Sequence, residues 1–476
     1  MAQLHELTAL EQASAVRSGA LSPVELVEHH LRRIATLTDI VGAFVTVTAD
    51  RARAEARLAE AAVRAAGDPR ELPPLLGVPT AVKDLNAVAG VPMKLGSLAF
   101  ADLVPSWEDH VVRLMRAAGT ISLGKTNTPE IGLPCYTEPD PGIAPPARTP
   151  YDLARSAGGS SGGAAAAVAA GLVPFAQGSD GGGSIRTPAS VCGLVGLKTS
   201  RGRVSSGPVV GDLSGLAVQG PLARTVADAA AFLDAIAVPQ LGDPHWAPPL
   251  PPGETFLAHA RQDPGRLRIG RYVDNIFGAP VDPACRQAWE QASALLAELG
   301  HEVEDVPTPP FGGLFDHFVV LWCVGAAAVA VPPDREQLLR PLTGWLRGRG
   351  AAVPAARFAL AVSRLQAAAR QLIVSTAAFD AVLTPTLAQL PAVVGGLRND
   401  ADPAADFEAQ CRFTPYTSLY NITGQPALSL PLSWTAEGLP VGVQLIGRPA
   451  GEAGLIRLGA QLEAARPWRA RHPSCW

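Results

Sequence analysis

Two glycine-rich clusters that carry serines are the part of this sequence best suited to covalent chemistry. They cover residues 158–163 (GGSSGG) and 178–184 (GSDGGGS), with an alanine-rich stretch between them. Because glycine has no Cβ, amide N–H groups in such clusters approach a ligand closely. A row of amides ending at a serine can supply an oxyanion hole and a nucleophile together. We therefore predict a serine nucleophile here, either Ser160 or Ser184, rather than two flexible loops.

A serine nucleophile needs a base, and Lys83 is the candidate. Lys83 follows the apolar segment 79–82 (PTAV), so burial is expected to lower the pKa of its ammonium group. A lysine that is neutral near pH 8 is a competent general base. The same position equally fits an ion pair with Asp84 or another carboxylate, and spacing alone does not decide between these roles.

Two familiar motifs also match. Residues 158–162 fit the G-x-S-x-G elbow of α/β-hydrolases, with Ser160 as nucleophile, but none of the downstream histidines is marked as its base. Residues 119–126 fit the phosphate-binding P-loop pattern, which requires a strand before the motif and a helix after it. Here a helical pattern precedes the motif, a strand pattern lies inside it and Pro129 follows. A P-loop nucleotide-binding protein is therefore the least favoured alternative.

The elements that must position these residues alternate between apolar runs and helical patterns. The predicted strands span residues 79–82, 121–123, 266–273 and 302–306, and the predicted helices span residues 22–34, 50–66, 109–118 and 283–299. Such alternation predicts an α/β fold with a largely buried mixed sheet. Pro/Gly-rich stretches separate a middle region of about 240–375 from a core built by the two ends.

Composition excludes several functional classes. The 476 residues carry 39 basic and 43 acidic side chains without a basic block, which argues against nucleic-acid binding. The longest apolar run, residues 318–331, has 14 residues, whereas a membrane span needs about 20. Six scattered cysteines and the absence of a signal pattern predict a cytoplasmic protein. The only lysines are Lys83, Lys94, Lys125 and Lys198, so a retained lysine is a candidate for chemistry that arginine cannot perform.

Several segments, in this order and spacing, resemble the amidase signature family. They are Lys83-Asp84, residues 124–127 (GKTN), 158–163 (GGSSGG), 178–190 (GSDGGGSIRTPAS) and 192–198 (CGLVGLK). The resemblance implies an amidase-signature α/β fold, with a large mixed β-sheet flanked by helices on both faces. It also implies one amidase domain over residues 1–476, with a signature core at about 75–206, a variable middle region at about 240–375 and a C-terminal part, 376–476, that returns to the core.

The same resemblance implies a Ser–cis-Ser–Lys triad. Ser184 would be the nucleophile, Ser160 the bridging serine on a cis peptide after Gly159, and Lys83 the base. The amides of Gly181, Gly182, Gly183 and Ser184 would form the oxyanion hole, and Asp180 and Arg186 match positions that brace this loop. The implied reaction is hydrolysis of amide C–N bonds, extending to carbamates (as in a urethanase) and esters, without a cofactor or metal.

Two segments are candidates for the wall of the substrate pocket. The segment after Gly132 is expected to line the pocket through Leu133, Cys135 and Tyr136. Trp322 and Cys323 are candidates too, although a buried core helix also explains their apolar run.

Within the family, the residues of these motifs most resemble those of amidases that act on nylon-type oligomers, aryl amides or carbamates. The alternative function is that of the A subunit of a glutamine-dependent aminoacyl-tRNA amidotransferase. Ser179 and Gly181 stand where a threonine and a bulkier residue are more usual, which would widen the site. The predicted partners are a small amide, carbamate or ester and at most a second copy of the chain, with no nucleic acid and no membrane.

Overall fold

The structure, a computed structural model, describes residues 3–209, 214–310 and 312–476. The strands are β1 (Phe44–Val47), β2 (Pro79–Lys83), β3 (Ile121–Thr126), β4 (Phe175–Asp180), β5 (Val195–Lys198), β6 (Val218–Ala223), β7 (Arg268–Arg271), β8 (Glu302–Asp305), β9 (Ala381–Pro385), β10 (Ala427–Trp434) and β11 (Pro440–Gly447). The helices are α1 (Ala9–Arg17), α2 (Pro23–Val41), α3 (Ala49–Ala65), α4 (His110–Ala117), α5 (Gly162–Ala169), α6 (Arg186–Val191), α7 (Val226–Ile236), α8 (Phe256–His259), α9 (Pro283–Glu298), α10 (Phe315–Ala328), α11 (Pro341–Ala351), α12 (Ala355–Ser375), α13 (Pro403–Phe413), α14 (Ser418–Thr423) and α15 (Glu452–Ala465).

Within the described residues the strands form two sheets. The small sheet has the order β1-β3-β2, and the large, eight-stranded sheet has the order β4-β6-β5-β10-β11-β9-β7-β8. Strand β7 pairs in parallel with β8 and β9, whereas the remaining pairs of the large sheet are antiparallel. The large sheet is therefore mixed, as the sequence predicts.

Alternate side chains of the central strands pack into cores on opposite faces of the large sheet. Val443 and Leu445 of β11 join a core with residues of α7, α9 and α15. Ile446, the next residue, joins a different core with residues of α10 and α12. Because side chains alternate along a strand, helices cover both faces, and the predicted fold class is confirmed. The division into a core and a variable middle region stays a prediction.

The predicted elements are present with shifted ends. Strands β2 and β3 run on to Lys83 and Thr126, because polar side chains at their ends are buried rather than solvent-exposed. Helix α2 continues past Ile34 to Val41, where Gly42 ends it at φ 63°. The side-chain oxygen of Ser22 accepts the amides of Val24 and Glu25, as expected of an N-cap. No helix of the described chain is long and apolar enough to cross a membrane.

Helix α5 explains the alanine-rich stretch between the two glycine clusters. All eight of its residues are buried. A Cβ on Gly163 would lie 2.3 Å from the backbone nitrogen of Asn127. Only small residues allow this helix to approach the chain that follows β3, so the composition reflects close packing.

The residues of the P-loop pattern lie in strand β3 and its preceding turn. Lys125 is buried and its Nζ lies 2.9 Å from Asp84 Oδ1, while Asp84 Oδ2 accepts the amide of Lys94. A phosphate-binding loop needs these groups free at a helix N-terminus. The P-loop interpretation therefore fails, and Lys125 belongs to a buried ion pair.

The ion pair generates a stability prediction. Lys125→Met leaves the Asp84 carboxylate buried without a cation, so we expect the free energy of unfolding to fall by about 3–5 kcal/mol. Adding Asp84→Asn should recover part of this loss. Arg64→Met is a matched control, because Arg64 is exposed in its pair with Glu60 and its loss should cost at most about 1 kcal/mol. Guanidinium unfolding curves give the free energy of unfolding of the parent protein and of the three variants. Equal losses in Lys125→Met and in Lys125→Met combined with Asp84→Asn would contradict the prediction.

Candidate active site

The side chain of Lys83 ends in a cluster of serine oxygens. Its Nζ donates to Ser160 Oγ at 2.8 Å and to Ser179 Oγ at 3.0 Å, and it approaches the Ser179 carbonyl at 3.4 Å. Lys83 is 0% exposed. Burial lowers its pKa to about 7, against the opposing charge of Asp180. Asp84 pairs with Lys125 instead, so of the two roles open for Lys83, the ion pair with Asp84 is not formed.

Ser160 lies in the Ser160 loop (residues 158–163), which runs into the first turn of α5. The Gly159–Ser160 peptide bond is cis. A Cβ on Gly159 would lie 2.7 Å from the backbone nitrogen of Tyr136, so the loop rests directly on the backbone of residues 135 and 136. The Ser160 loop therefore tolerates no side chain at Gly159 without displacement of the neighbouring chain.

Ser184 lies in the Ser184 loop (residues 181–185), between β4 and α6. Its carbonyl accepts the amide of Ser161 at 3.1 Å, which ties the two serine loops together. Its side chain lines an open pocket. Within the described residues Ser184 Oγ makes no hydrogen bond, so this hydroxyl is available to a ligand.

A buried ion pair shapes the Ser184 loop. The Asp180 carboxylate accepts two hydrogen bonds from the Arg186 guanidinium, at 2.8 and 3.0 Å, and both side chains are 0% exposed. It also accepts the amides of Gly183 at 2.8 Å and Ile185 at 3.1 Å. Burial by itself raises the pKa of Asp180, but the charge and hydrogen bonds of Arg186 hold it below its usual range. The backbone of the Ser184 loop is therefore held by hydrogen bonds to the ionised Asp180 carboxylate.

This arrangement changes the expected set of oxyanion-hole amides. The amide of Gly183 already donates to Asp180. The amides of Gly181, Gly182 and Ser184 make no hydrogen bond within the described chain. Gly183 has φ 134°, and a Cβ there would lie 2.5 Å from Thr417 Oγ1. Gly183 thus shapes the turn, while the other three amides face no competing acceptor.

An aromatic pocket, open to solvent, lies beside Ser184. One wall is α10, where Phe315 stacks on Phe318 and Phe318 stacks on Trp322, with ring centroids 5.9 and 5.5 Å apart. Phe277 meets Phe315 edge to face. Its described lining is Leu133, Cys135, Gly159, Gly182, Gly183, Ser184, Thr187, Phe277, Phe315, Phe318, Trp322, Phe407, Gln410, Cys411, Thr414 and Ser418. This described lining includes no charged side chain.

The five residues expected at the pocket divide into two groups. Leu133, Cys135 and Trp322 line it. Tyr136 is instead buried with its hydroxyl on Asp406 Oδ2, 2.7 Å away. Cys323 packs with Leu342 and Leu346 of α11. Tyr136 and Cys323 therefore lie outside the described lining. Residues 134–136 form a bend, and successive residues of a helix such as α10 point in different directions.

Other pocket residues were missed from the sequence. Phe315, Phe318 and Trp322 follow the i, i+3, i+7 spacing of one helix face, so the apolar run contained a usable signal. Phe277 and Phe407 come from distant segments and carry no such signal. A Cβ at Gly181 would lie 3.5 Å from the Trp322 indole, which is an ordinary van der Waals contact. The indole therefore lies next to the position that the sequence predicts to widen the site.

Comparisons with known proteins agree over nearly the whole chain. A family model described as Amidase matches residues 25–456. The chain is 36% identical over 490 aligned residues to the 6-aminohexanoate-cyclic-dimer hydrolase of Paenarthrobacter ureafaciens, covering 98% of this chain and 96% of that protein.

Solved structures give the same result. A structure of 6-aminohexanoate cyclic dimer hydrolase superposes with a TM-score of 0.91 and 32% identity over 100% of both chains. A bacterial aryl acylamidase of the amidase signature family superposes with a TM-score of 0.86 and 27% identity, covering 98% of this chain and 97% of that one. The chain therefore belongs to the amidase signature family, the hydrolases that act on amide C–N bonds.

Proposed function

We propose that the protein hydrolyses small uncharged amides through an acyl-enzyme on Ser184, with Ser160 and Lys83 as the proton relay. The observation that carries this proposal is the buried hydrogen bond between Lys83 Nζ and Ser160 Oγ, beside a Ser184 hydroxyl open to the pocket. Burial makes the neutral amine accessible near neutral pH. A neutral lysine accepts a proton, whereas an ion-paired lysine does not.

The chemistry follows from these positions. Lys83 takes a proton from Ser160 as Ser160 takes one from Ser184, whose Oγ forms a bond to the substrate carbonyl carbon. The amides of Gly181, Gly182 and Ser184 stabilise the oxyanion, and the relay returns the proton to the departing amine nitrogen as the C–N bond breaks. Water then releases the acyl group by the same route. Substrate binding must bring Ser184 Oγ to Ser160 Oγ, because the free protein lacks that hydrogen bond; such bonds commonly tighten in the substrate complex.

The pocket wall indicates the substrate class. Aromatic rings and neutral polar groups favour an apolar alkyl or aryl group beside the scissile amide. Two similar proteins carry the names 6-aminohexanoate cyclic dimer hydrolase and aryl acylamidase, both of which denote amides of this kind. Carbamates and esters present the same carbonyl to Ser184, so the proposal includes them as further substrates.

The glutamine-dependent amidotransferase subunit has less support. Glutamine carries an α-ammonium and an α-carboxylate group, and burying these charges without partners is costly. The described pocket lining offers neither an acid nor a base to pair with them. Uncharged amides avoid this cost.

The nucleophile is tested by covalent labelling. Ser184→Ala should abolish labelling by a fluorophosphonate and lower kcat by about 10⁴-fold or more, because the attacking oxygen is removed. Ser160→Ala should slow labelling but retain it at Ser184. Mass spectrometry of the labelled peptide identifies the serine. Labelling that survives in Ser184→Ala and disappears in Ser160→Ala would favour the G-x-S-x-G interpretation instead.

The base is tested by the pH profile. Below its pKa, Lys83 is an ammonium group and cannot accept a proton; above it, the amine is neutral. We therefore expect kcat/KM to rise with pH and level off above about 7. Lys83→Arg should remove most activity at every pH, because arginine keeps its proton.

Lys198 provides the control for this profile. Burial and the charge of Arg186 also lower its pKa to about 7, but its Nζ donates to the Thr199 carbonyl rather than to a serine hydroxyl. Lys198→Met should leave the midpoint of the profile in place. A midpoint that moves in Lys198→Met, or an unchanged profile in Lys83→Arg, would count against Lys83 as the base.

The substrate class is tested with a panel of aryl amides, cyclic amide oligomers, carbamates, esters and glutamine. Neutral aryl and alkyl amides should exceed glutamine in kcat/KM by about 100-fold or more, given the cost of burying unpaired charge. Trp322→Ala should raise KM for aryl amides by about tenfold, since the buried ring contact is lost. Trp246→Ala is the matched control, because Trp246 is 72% exposed and lies outside the described pocket lining. Preference for glutamine would overturn the assignment.

A further inference from the structure

The segment comprising residues 130–137, here called the bracing segment, supports the Ser160 loop by direct backbone contact. A Cβ on Gly132 would lie 3.4 Å from Ser160 Oγ, and one on Gly159 would lie 2.7 Å from the carbonyl carbon of Cys135. The Gly162 amide donates to Thr137 Oγ1 at 3.1 Å. The close backbone approach at Gly159 and the hydrogen bond to Thr137 connect the two segments, so a shift of the bracing segment is transmitted to the Ser160 loop.

The outer side of the bracing segment is held by α13 through buried hydrogen bonds. The Tyr136 hydroxyl donates to Asp406 Oδ2 at 2.7 Å. Gln410 Oε1 accepts the Cys135 amide at 2.9 Å, and Gln410 Nε2 donates to Asp406 Oδ1 at 2.6 Å. Tyr136, Asp406 and Gln410 are all buried. One carboxylate thus fixes two consecutive residues of the bracing segment at the point where they touch Gly159.

The other end of the bracing segment is fixed separately. The Glu130 carboxylate accepts the Ser97 hydroxyl at 2.5 Å and the Arg340 amide at 2.8 Å. Glu130 is buried as well. The bracing segment is therefore held at both ends, and the contacts to the Ser160 loop lie between these anchors.

We propose that Tyr136 and Asp406 are positioning residues, which hold Ser160 Oγ at the Lys83 amine through the bracing segment. Within the described residues neither is part of the pocket lining, whereas their neighbours Cys135 and Gln410 are. The tests below therefore separate an effect through Ser160 from an effect through the pocket wall. This inference rests on the proposed function, in which Ser160 relays the proton. Geometry is decisive there, because a displacement of about 1 Å in a catalytic group lowers the rate by about 100-fold.

A double-mutant cycle tests the inference. Tyr136→Phe removes one hydroxyl and keeps the ring, and the rate constant of Ser184 labelling by a fluorophosphonate is compared with and without Ser160→Ala. With Ser160 present, Tyr136→Phe should slow labelling by about tenfold to 100-fold. In the Ser160→Ala background the same substitution should change the rate by about twofold at most, since the group it positions is gone. An equal factor in both backgrounds overturns the inference.

Steady-state kinetics separate positioning from loss of stability. Tyr136→Phe should lower kcat for a neutral aryl amide while KM stays within about twofold of the parent value. Tyr272→Phe is the matched control: it removes a buried hydroxyl that bonds Tyr420 in another core, and it should lower the thermal midpoint without lowering kcat. Equal kcat values in the two variants overturn the inference. Asp406→Asn gives the second measurement, with the same expected fall in kcat, should Tyr136→Phe fold poorly.

The cycle also distinguishes this inference from the proposed function. If Ser160→Ala labels at the parent rate, the relay fails and the positioning inference fails with it. If Ser160→Ala is labelled slowly, and Tyr136→Phe slows labelling by the same factor with and without Ser160, the relay stands and only the positioning inference fails.

Discussion

The ion pair between Asp180 and Arg186 is the interaction on which the geometry of the site depends. The Asp180 carboxylate holds the amides of the Ser184 loop on one side and the Arg186 guanidinium on the other. Arg186 in turn donates to the Thr417 carbonyl and to the side chains of Asn421 and Gln444. A buried pair is favourable only when its remaining donors and acceptors are satisfied, and these bonds satisfy them. The pair thereby joins the Ser184 loop to α14 and β11, which lie over 200 residues away in the sequence.

The same pair governs the charge of the site. The Asp180 carboxylate already forms an ion pair with Arg186, so its charge is largely compensated before it acts on Lys83 and Lys198. Burial is consequently the dominant influence on both, and it lowers the pKa of Lys83 and of Lys198 to about 7. One buried carboxylate thus shapes the loop while leaving Lys83 able to exist as a neutral amine. Only Lys83 reaches a serine hydroxyl, which separates the two lysines in chemistry.

The sequence was informative where local chemistry determines the structure. The glycine clusters, the apolar segment before Lys83 and the alternation of strands and helices located the serine loops and the α/β architecture. The sequence did not predict contacts between segments that are distant along the chain. Phe277 and Phe407 reach the pocket from separate parts of the chain, and the donation of the Gly183 amide to Asp180 depends on how one turn closes. Trp322 and Cys323 are neighbours in an apolar run, yet one faces the pocket and the other faces α11. Composition alone does not reveal which way each residue faces.

Helix α5 and the wall formed by α10 divide the molecule into parts that tolerate change very differently. Around α5 and the Ser160 loop, backbone meets backbone at Gly159 and Gly163, so almost any larger residue displaces a neighbouring chain. The α10 wall is made of large side chains whose outer rings are partly exposed, and it lies far from the serine loops in sequence. Trp322 and Phe318 lie beside Gly181 and Gly182 through side-chain atoms only, so substitutions there alter the shape of the pocket and leave the backbone contacts of the Ser160 loop in place. A lineage of such proteins can therefore change its substrates by exchanging rings on one helix while its reaction chemistry is inherited unaltered.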